Sequence, residues 1–542
     1  VKPSIGRAVV PKLKPLAKST LFSGYAKTPN AFSVRSRIST NPQAPRNTAL
    51  FRAVTDETLP VNPAAVVVGG GPAGLATAIM LANRGWDVKL LEQKENVSYE
   101  ISKAYLYLID ARGQKFTNKY GLTEGLMLRG VNSLNYTIAR VFPDKRGMVE
   151  SVPPSLSPDR KASYWIPRHE LLKLFSEKAE SYANIEMIYG SELRSIDRVG
   201  DKVRVRAGKF EKAREFYPDL IVGADGLNSE VRKVCSQWSS DPTSFDPVQM
   251  ASPSTGLQYK MIKLPPKFPL GRGEKVKYSE GTQAYAIYSN VKDSKRRGKL
   301  GLLPVAQEDA PRTANVIQKD DHMVWKLNDG GEVLEWLEEN FPHIPVRDIV
   351  SEEEADAFAK EREGRFPAPQ YSPRCQVSCG DGVRGTCVLV GDSLHAFPPD
   401  LGQGVNAALE DICDLEDAFS IESGGAAGDS PDIIKNAATR YEEIRAPEAK
   451  SLVQIMQVGW PYQYGQDRFR EKFWMINFVL RTFILNKILP FLFNPAAVIM
   501  LQDSRLRYSE VWRRAQQTTR RLIACLAASS IFLYLRLVSG VL

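Results

Sequence analysis

A glycine-rich turn near residue 70 constrains the fold of this 542-residue chain more than any other feature. The apolar run at residues 64–68 is typical of a buried strand, and residues 72–84 repeat with helical periodicity. The turn between them reads Gly69-x-Gly71-x-x-Gly74. A strand, a glycine turn and a helix in this order predict an α/β fold that opens with a Rossmann-type βαβ unit.

This glycine turn is suited to bind the diphosphate of a dinucleotide. Gly69 permits the tight turn, Gly71 lets the backbone approach a pyrophosphate, and Gly74 allows the helix to pack closely on the strand. The helix N-terminus stabilises the phosphate charge. Glu92 ends the next β-like run eighteen residues after Gly74, so its carboxylate can accept hydrogen bonds from ribose hydroxyls. A glycine turn without a ligand is the alternative.

A second motif ends the buried run at residues 220–222 with the sequence Gly223-Ala224-Asp225-Gly226. A strand that ends in this way presents the Asp225 carboxylate and free backbone amides at the carboxyl edge of a sheet. α/β proteins bind their ligands at that edge. A turn closed by an aspartate cap is the alternative.

A third motif, at residues 390–406, follows another buried strand. Asp392 is placed to bind a hydroxyl of a ribityl chain. A helix predicted to begin near Gly404 directs its backbone amides and its dipole toward a reduced, anionic flavin ring. We interpret His395 as structural rather than as a base. Together the three motifs predict a binding groove for one extended flavin dinucleotide.

The three motifs, in this order and about 150 residues apart, resemble those of the single-component (class A) flavoprotein monooxygenases. Within that family the closest resemblance is to the kynurenine 3-monooxygenases, on residues 387–411 and 503–508. The resemblance implies FAD as the cofactor, NADPH or NADH as the reductant, and oxygen transfer from a hydroperoxide at flavin C4a to an aromatic carbon. The cofactor-binding residues that it implies are Gly69, Gly71, Gly74, Glu92, Arg112, Asp225, Gly226, Asp392 and Gly404.

Departures from the kynurenine 3-monooxygenases concern the substrate. Those enzymes place the second arginine of a Met-Arg-x-Arg stretch on the substrate carboxylate, whereas this chain has Val131, two residues after Arg129. Their Tyr-x-Glu-Met-Arg helix is also replaced, at residues 456–462. Valine cannot form the bidentate ion pair that an arginine makes with a carboxylate, so a different or less acidic substrate is an open alternative. The resemblance retains Asn406, and we expect Asn406 and Arg129 to line the pocket as catalytic residues.

The positive charge of the chain is concentrated in its first 55 residues. The formal net charge is +10, but residues 1–55 hold ten lysines or arginines, and the remainder is balanced at 62 basic and 62 acidic residues. A nucleic-acid partner is therefore not expected. This acid-free leader is typical of an organelle transit peptide, and we expect a plastid rather than a mitochondrion as its destination. A disordered basic tail is the alternative. Six scattered cysteines and four histidines give no support for a catalytic metal.

The chain after the leader divides into four parts. We expect an FAD-binding domain at residues 60–240 and 375–420, an inserted β-rich substrate domain at 241–374, a helical region at 431–515 and a hydrophobic helix at 522–542. The arginines that flank this last helix are Arg513, Arg514, Arg520 and Arg521. Such a helix suits a membrane anchor or an interface-bound helix on anionic lipid, with a buried core helix as the alternative.

Other functions remain open at this point. An epoxidase of plastid isoprenoids, resembling zeaxanthin epoxidase, would fit the same leader and tail. A flavin-dependent reductase on the same fold, such as geranylgeranyl reductase, has less support because its Tyr-x-Trp-x-Phe-Pro signature is not found in the middle of the sequence. A membrane-tethered flavoprotein that serves as an assembly partner is the non-enzymatic alternative.

Overall fold

The computed structural model describes residues 62–96, 105–134, 137–152, 161–209, 213–274, 276–380, 382–424 and 429–538. The predicted leader at residues 1–55 lies outside the described residues, as do the last four residues of the predicted hydrophobic helix.

The described chain forms strands that we number β1 to β22. They are β1 (Ala64–Val68), β2 (Asp87–Leu91), β3 (Leu106–Ile109), β4 (Val131–Asn132), β5 (Ile138–Val141), β6 (Met148–Ser151), β7 (Tyr164–Pro167), β8 (Ile185–Ile188), β9 (Leu193–Val199), β10 (Lys202–Ala207), β11 (Arg214–Phe216), β12 (Leu220–Gly223), β13 (Val248–Gln249), β14 (Gln258–Leu264), β15 (Ala284–Tyr288), β16 (Lys299–Leu302), β17 (Arg312–Gln318), β18 (Gly364–Arg365), β19 (Gln370–Tyr371), β20 (Gln376–Ser378), β21 (Thr386–Leu389) and β22 (His395–Ala396).

Its α-helices are numbered in the same way. They are α1 (Pro72–Asn83), α2 (Gly113–Lys119), α3 (Thr123–Arg129), α4 (Arg168–Glu180), α5 (Glu230–Trp238), α6 (Gly330–Asn340), α7 (Val346–Ile349), α8 (Glu352–Lys360), α9 (Gly404–Ser423), α10 (Pro431–Val458), α11 (Arg468–Val479), α12 (Asn486–Ile488), α13 (Ala497–Met500) and α14 (Tyr508–Val538). A π-helical segment at Leu480–Leu485 joins α11 to α12, and a single 3₁₀ turn at Pro399–Leu401 precedes α9.

The sheet that carries the three motifs has the strand order β20-β21-β12-β1-β2-β8. All neighbouring pairs are parallel except β20 with β21. Val68 of β1 pairs with Gly223 on one side and with Leu91 on the other, and Gly223 pairs in turn with Leu389. Strands β1, β12 and β21 are buried apolar runs, as a parallel sheet covered on both faces requires. The predicted Rossmann-type α/β fold is confirmed.

A seven-stranded sheet in the order β18-β14-β17-β16-β15-β5-β6 forms a second core, packed around Trp336, Phe341 and Phe358. The predicted β-rich part is therefore present. However, its sheet also includes the hairpin β5–β6 at residues 138–151, which precedes the expected boundary at residue 241. Sequence periodicity does not reveal this membership because β5 pairs in parallel with β15, which is distant along the chain.

The C-terminal helix α14 is continuous over 31 residues. Tyr508, Val511 and Ala515 are buried in a cluster with residues of α10 and α13, whereas the side chains from Ile523 onward are exposed. The end of the helical region expected at residues 431–515 and the hydrophobic helix expected at residues 522–542 are therefore parts of one helix, α14. By length and composition it is able to cross a membrane.

A buried ion cluster fixes α9 against α10. Arg445 is fully buried and pairs with Asp411, with Glu410 at 3.3 Å and with Asp414 at 3.4 Å. His395 Nε2 lies 2.9 Å from the Asp411 carboxylate. Burial alone would raise the pKa of Asp411, but Arg445 and His395 hold that pKa below its usual value. These contacts support the structural interpretation of His395.

Replacing Arg445 by methionine should destabilise the folded protein by about 3–5 kcal/mol, because three buried carboxylates lose their shared counter-charge. Arg440→Met on the same helix is the matched control. Arg440 pairs with Glu422 at a partly exposed site, so its loss should cost less than about 1 kcal/mol. Urea unfolding of the two purified variants measures the difference, and equal unfolding free energies would contradict the role given to the cluster.

Candidate active site

The three motifs meet at one edge of the first sheet. Strands β2, β1, β12 and β21 are adjacent and parallel, so the residues that follow them lie side by side. A Cβ atom added to Gly69 would lie 2.4 Å from the Ala224 carbonyl oxygen, and one added to Gly391 would lie 2.9 Å from the Ala73 Cβ atom. The first motif therefore touches both of the others, as a single extended cofactor requires.

The glycine turn leaves a cradle in front of α1. Gly69 has a φ of +108°, and a Cβ atom on Gly74 would lie 1.8 Å from the Gly69 carbonyl oxygen. A Cβ atom on Gly71 would meet no atom of the described chain within 4 Å. Pro72, which has no amide hydrogen to leave unpaired, opens the helix. The open side of Gly71 at a helix N-terminus fits the diphosphate of a dinucleotide.

Glu92 extends from the end of β2 beside this turn. Its Oε2 accepts a hydrogen bond from the Gly70 amide at 2.8 Å, and its Oε1 accepts one from the Lys94 amide at 2.9 Å. A carboxylate has about four lone-pair sites, so each oxygen of Glu92 can accept a further hydrogen bond from a ribose hydroxyl.

Asp225 follows β12 and caps helix α5. Its carboxylate accepts hydrogen bonds from Ser229 Oγ at 2.5 Å and from the amides of Glu230 and Val231 at 2.7 and 3.1 Å. The aspartate-capped turn, given above as the alternative, therefore describes this side chain. Gly226 has a φ of +80°, and a Cβ atom added there would meet no atom of the described chain within 4 Å. The backbone of this turn is open to a ligand, and the part of the Asp225 carboxylate in cofactor binding stays a prediction.

Asp392 follows β21 on the same edge. Its side chain is exposed to solvent, yet desolvation by the surrounding protein raises its pKa. A carboxylate with both properties lies in a cleft. Among the described residues none donates a hydrogen bond to it, so both oxygens can accept hydrogen bonds from a bound polyol.

Asn406 holds the start of α9 against the end of β3. Its Oδ1 accepts a hydrogen bond from the Asp110 amide at 3.0 Å, and its Nδ2 donates to the carbonyl oxygens of Leu108 at 2.7 Å and Gly402 at 2.9 Å. Both amide hydrogens are used in these bonds, and the side chain is fully buried. These contacts hold the start of α9 in position, and the expected place of Asn406 in the substrate pocket stays a prediction. A Cβ atom on Gly404, the first residue of α9, would meet no atom of the described chain within 4 Å.

Arg129 ends α3 and pairs with α4. Its Nη2 lies 2.6 Å from Glu177, and its Nη1 lies 3.8 Å from Glu170. The guanidinium thus pairs with two carboxylates of a neighbouring helix, and its expected place in a substrate pocket stays a prediction. Val131 is buried where β4 meets the second sheet, in an apolar cluster with Ile138, Trp165, Ala284 and Ala306.

Arg112, a predicted cofactor-binding residue, contacts the segment before α14. Its Nη2 donates to the carbonyl oxygens of Asp503 at 3.2 Å and Leu506 at 2.6 Å, and its guanidinium lies 4.5 Å from the centre of the Tyr508 ring. The side chain is buried by these contacts and fixes the segment before α14. The part of Arg112 in binding the cofactor stays a prediction.

Arg168, the first residue of α4, is a cation that the sequence analysis missed. Its amide donates to the Tyr105 carbonyl oxygen at 3.1 Å, and its guanidinium lies beside the hydroxyls of Tyr105 and Tyr107. The pKa of Tyr107 is raised chiefly by burial, and the nearby Asp392 contributes to the rise. Arg168 therefore lies near the Asp392 end of the cleft. The sequence does mark this position, because Arg168 is a basic residue at the point where β7 is followed directly by an amphipathic helix.

The chain is similar to known flavoproteins over most of its length. The family model described as FAD binding domain matches residues 63–253 and 370–455, which is more than half of the chain. The sequence is 23% identical to the kynurenine 3-monooxygenase of Caenorhabditis elegans over 88% of this chain and 98% of that one. It is also 23% identical to the kynurenine 3-monooxygenase of Sus scrofa, over 83% of this chain and 86% of that one.

The fold is similar to those of solved flavoprotein structures. A variant of 2-methyl-3-hydroxypyridine-5-carboxylic acid oxygenase superposes with a TM-score of 0.52 at 20% identity, over 78% of this chain and 96% of that one. The tetracycline destructase Tet(51) superposes with a TM-score of 0.52 at 15% identity, over 82% of this chain and 98% of that one. The chain therefore belongs to the FAD binding domain family, and both its predicted cofactor, FAD, and its predicted resemblance to flavoprotein monooxygenases are confirmed.

Proposed function

We propose that this FAD-binding chain is an NAD(P)H-consuming monooxygenase that hydroxylates an aromatic substrate, in the manner of the kynurenine 3-monooxygenases that it resembles. The observation that carries the proposal is the convergence of the three motif turns at one sheet edge. One groove formed by all three suits a single extended dinucleotide. Relatives with that activity in their names also match this chain over most of their own length.

We assign the two ends of FAD to different motifs. The glycine turn would hold the diphosphate, Glu92 the adenosine ribose, and Asp392 the ribityl chain, while the amides at Gly404 would face the ring. Arg168 would be a further cation of this groove, beside Arg112. Bound FAD supplies the redox chemistry, namely hydride acceptance and oxygen activation, while the protein orients the substrate and excludes water.

Replacing Gly71 by leucine should lower the affinity for FAD at least about tenfold, or ~1.4 kcal/mol, because the new side chain fills the cradle in front of α1. Gly271→Leu is the matched control, since a Cβ atom there also meets no atom of the described chain within 4 Å but lies in the second sheet domain. FAD affinity is measured by titrating the apoprotein and following flavin fluorescence. Equal affinity in both variants would contradict the assignment of the glycine turn.

The surroundings of Val131 bear on the choice of substrate. In kynurenine 3-monooxygenases the corresponding arginine holds the substrate carboxylate, but here the position lies in an apolar cluster. An unpaired carboxylate in such surroundings would be strongly disfavoured. We therefore expect an aromatic or lipophilic substrate that is less acidic than kynurenine.

Turnover distinguishes the proposed monooxygenase from its alternatives. The purified, FAD-loaded full chain should oxidise NADPH faster when an aromatic amine substrate is present, and each NADPH oxidised should consume one oxygen and form one hydroxylated product. Oxygen uptake, NADPH absorbance and product analysis measure this coupling. NADPH oxidation that continues without oxygen would instead identify a reductase, and turnover that depends on a carotenoid would identify an epoxidase.

We further propose that α14 attaches the protein to a membrane. Its side chains from Ile523 to Val538 are apolar and exposed, apart from Ser529, Ser530 and Arg536. Arg520 and Arg521 lie at the start of this surface, where they suit contact with anionic lipid. The neighbouring helix α11 also exposes large apolar side chains, among them Phe469, Phe473 and Ile476. The predicted plastid location depends on residues 1–55 alone.

The double substitution Leu526→Glu and Leu533→Glu in the full chain should abolish binding to vesicles of anionic phospholipid, since charges in this surface oppose burial in the bilayer. Val248→Glu with Tyr278→Glu is the matched control, because these side chains are exposed and apolar but distant from α14 in the chain. Flotation of the vesicles measures bound protein. Retained binding of the α14 variant would contradict membrane attachment through this helix.

A further inference from the structure

A cavity of about 400 Å³ lies beside the segment that precedes α14. Helix α2, Lys161 before β7, Glu410 of α9 and residues of that segment form its walls. Except for Ala111, its described lining residues are all polar or charged, and none of them is aromatic. None of them belongs to the glycine turn or to the turns that carry the other two motifs. The cavity is therefore suited to a polar ligand rather than to an aromatic ring.

Four cations from three parts of the chain surround this cavity. We call it the basic cavity, and its four cations are Lys115, Lys161, Arg505 and Arg507. No described carboxylate forms an ion pair with Lys161. Arg505 pairs with Asp503 at 2.8 Å, and both Nη atoms of Arg507 donate to the Asp414 carboxylate at 2.9 Å. A guanidinium has five N–H donors, so the pair with Asp414 holds Arg507 in place and leaves it further donors for a ligand.

The carboxylate that lines the basic cavity does not cancel its positive charge. Glu410 is shared by Arg445 at 3.3 Å, Arg112 at 3.4 Å and Lys115 at 3.7 Å. Burial alone would raise the pKa of Glu410, but these three cations and Arg507 hold that pKa below its usual value. The electrostatic potential at this wall is therefore positive, which favours an anionic ligand.

The arrangement of the four cations favours a phosphate group. One planar guanidinium can match a carboxylate, whereas a tetrahedral dianion accepts hydrogen bonds from several directions. The headgroup of a membrane lipid is not favoured, because α14 exposes its apolar surface only from Ile523, fifteen residues after Tyr508. That separation is about 22 Å along the helix. A soluble phosphate ester is therefore the class of ligand that fits the cavity.

We propose that the basic cavity binds the phosphate group of a soluble phosphate ester, at a site separate from the FAD diphosphate cradle of the glycine turn. Two sources carry this chemistry, namely the 2′-phosphate of NADPH and a free phosphorylated metabolite. Glu410 lies six residues after Gly404, or about 9 Å along α9, so an extended dinucleotide whose nicotinamide meets the flavin has the cavity within its span. The proposal concerns binding alone and does not depend on hydroxylation of an aromatic substrate.

Two probes that differ only in a phosphate group test the proposal. The compound 2′-AMP is adenosine with a phosphate on its 2′-oxygen. Each probe is titrated into the FAD-loaded full chain in a calorimeter, which gives a dissociation constant without turnover. Bound FAD keeps the glycine turn and its adenosine site occupied. We expect 2′-AMP to bind at least about tenfold more tightly than adenosine, because the cations form charge-assisted hydrogen bonds with the phosphate alone.

Substitutions of two lysines assign this preference to the basic cavity. Lys115→Gln with Lys161→Gln should weaken 2′-AMP binding at least about tenfold, whereas Lys115→Arg with Lys161→Arg keeps both charges and should retain most of it. Lys292→Gln with Lys326→Gln is the matched control, because it removes the same charge from exposed lysines of the second sheet domain. This control should leave 2′-AMP binding unchanged. FAD content and urea unfolding of each variant verify that the fold is kept.

Titration with NADPH and with NADH identifies the source of the phosphate. Tighter binding of NADPH that is lost in the glutamine double variant assigns the site to the reductant. Equal binding of NADPH and NADH, with 2′-AMP still preferred over adenosine, assigns it to a free phosphate ester. The proposal is overturned if 2′-AMP does not bind, if adenosine binds as tightly, or if the glutamine double variant binds 2′-AMP normally. A lack of hydroxylated product in turnover would contradict the proposed function but would leave these binding constants unaffected.

Discussion

The parallel register of β2, β1, β12 and β21 is the constraint on which the cleft depends. Val68 lies opposite both Leu91 and Gly223, and Gly223 lies opposite Leu389, so four strands end level with one another. The turns after these strands are then forced onto one edge. A one-residue slip of any strand would exchange the side chains packed on its two covered faces, and the close packing of both faces therefore protects the geometry of the site.

The parts of this arrangement that depend on local sequence could be predicted. A strand, the glycine turn and a helix are contiguous in the chain, and so are β21, Asp392 and α9, which is why their order and their chemistry could be inferred from short patterns. The role of a side chain depends on partners that such patterns do not contain. Arg112 contacts the carbonyl oxygen of a residue 391 positions later, and Asn406 reaches back 298 positions to Leu108. Arg168 was missed for the same reason, since its neighbours are Tyr107 of strand β3 and Tyr105 just before that strand.

Buried charge links the third motif to the rest of the helical region. Arg445 contacts three carboxylates of α9, two of which also pair with Arg112 or Arg507. The third, Asp411, accepts a hydrogen bond from the Gly391 amide at 2.7 Å. Gly391 is the residue directly before Asp392. The ion cluster thus fixes the backbone next to the Asp392 carboxylate. Helix α10 contributes to the site through Arg445, without facing the cleft.

The start of α14 is packed against the turn before α9. Tyr508, its first residue, donates a hydrogen bond to Gln403 at 3.1 Å, and Gln403 donates to the Asp110 carboxylate at 2.8 Å. Arg112 stacks on the Tyr508 ring from the other side. Helix α14 is thus an extension of the folded core and not a flexible tether, so its far end projects in a direction fixed relative to the turn before α9. The hydrophobic helix expected at residues 522–542 is therefore the continuation of a helix that begins in the folded core at Tyr508.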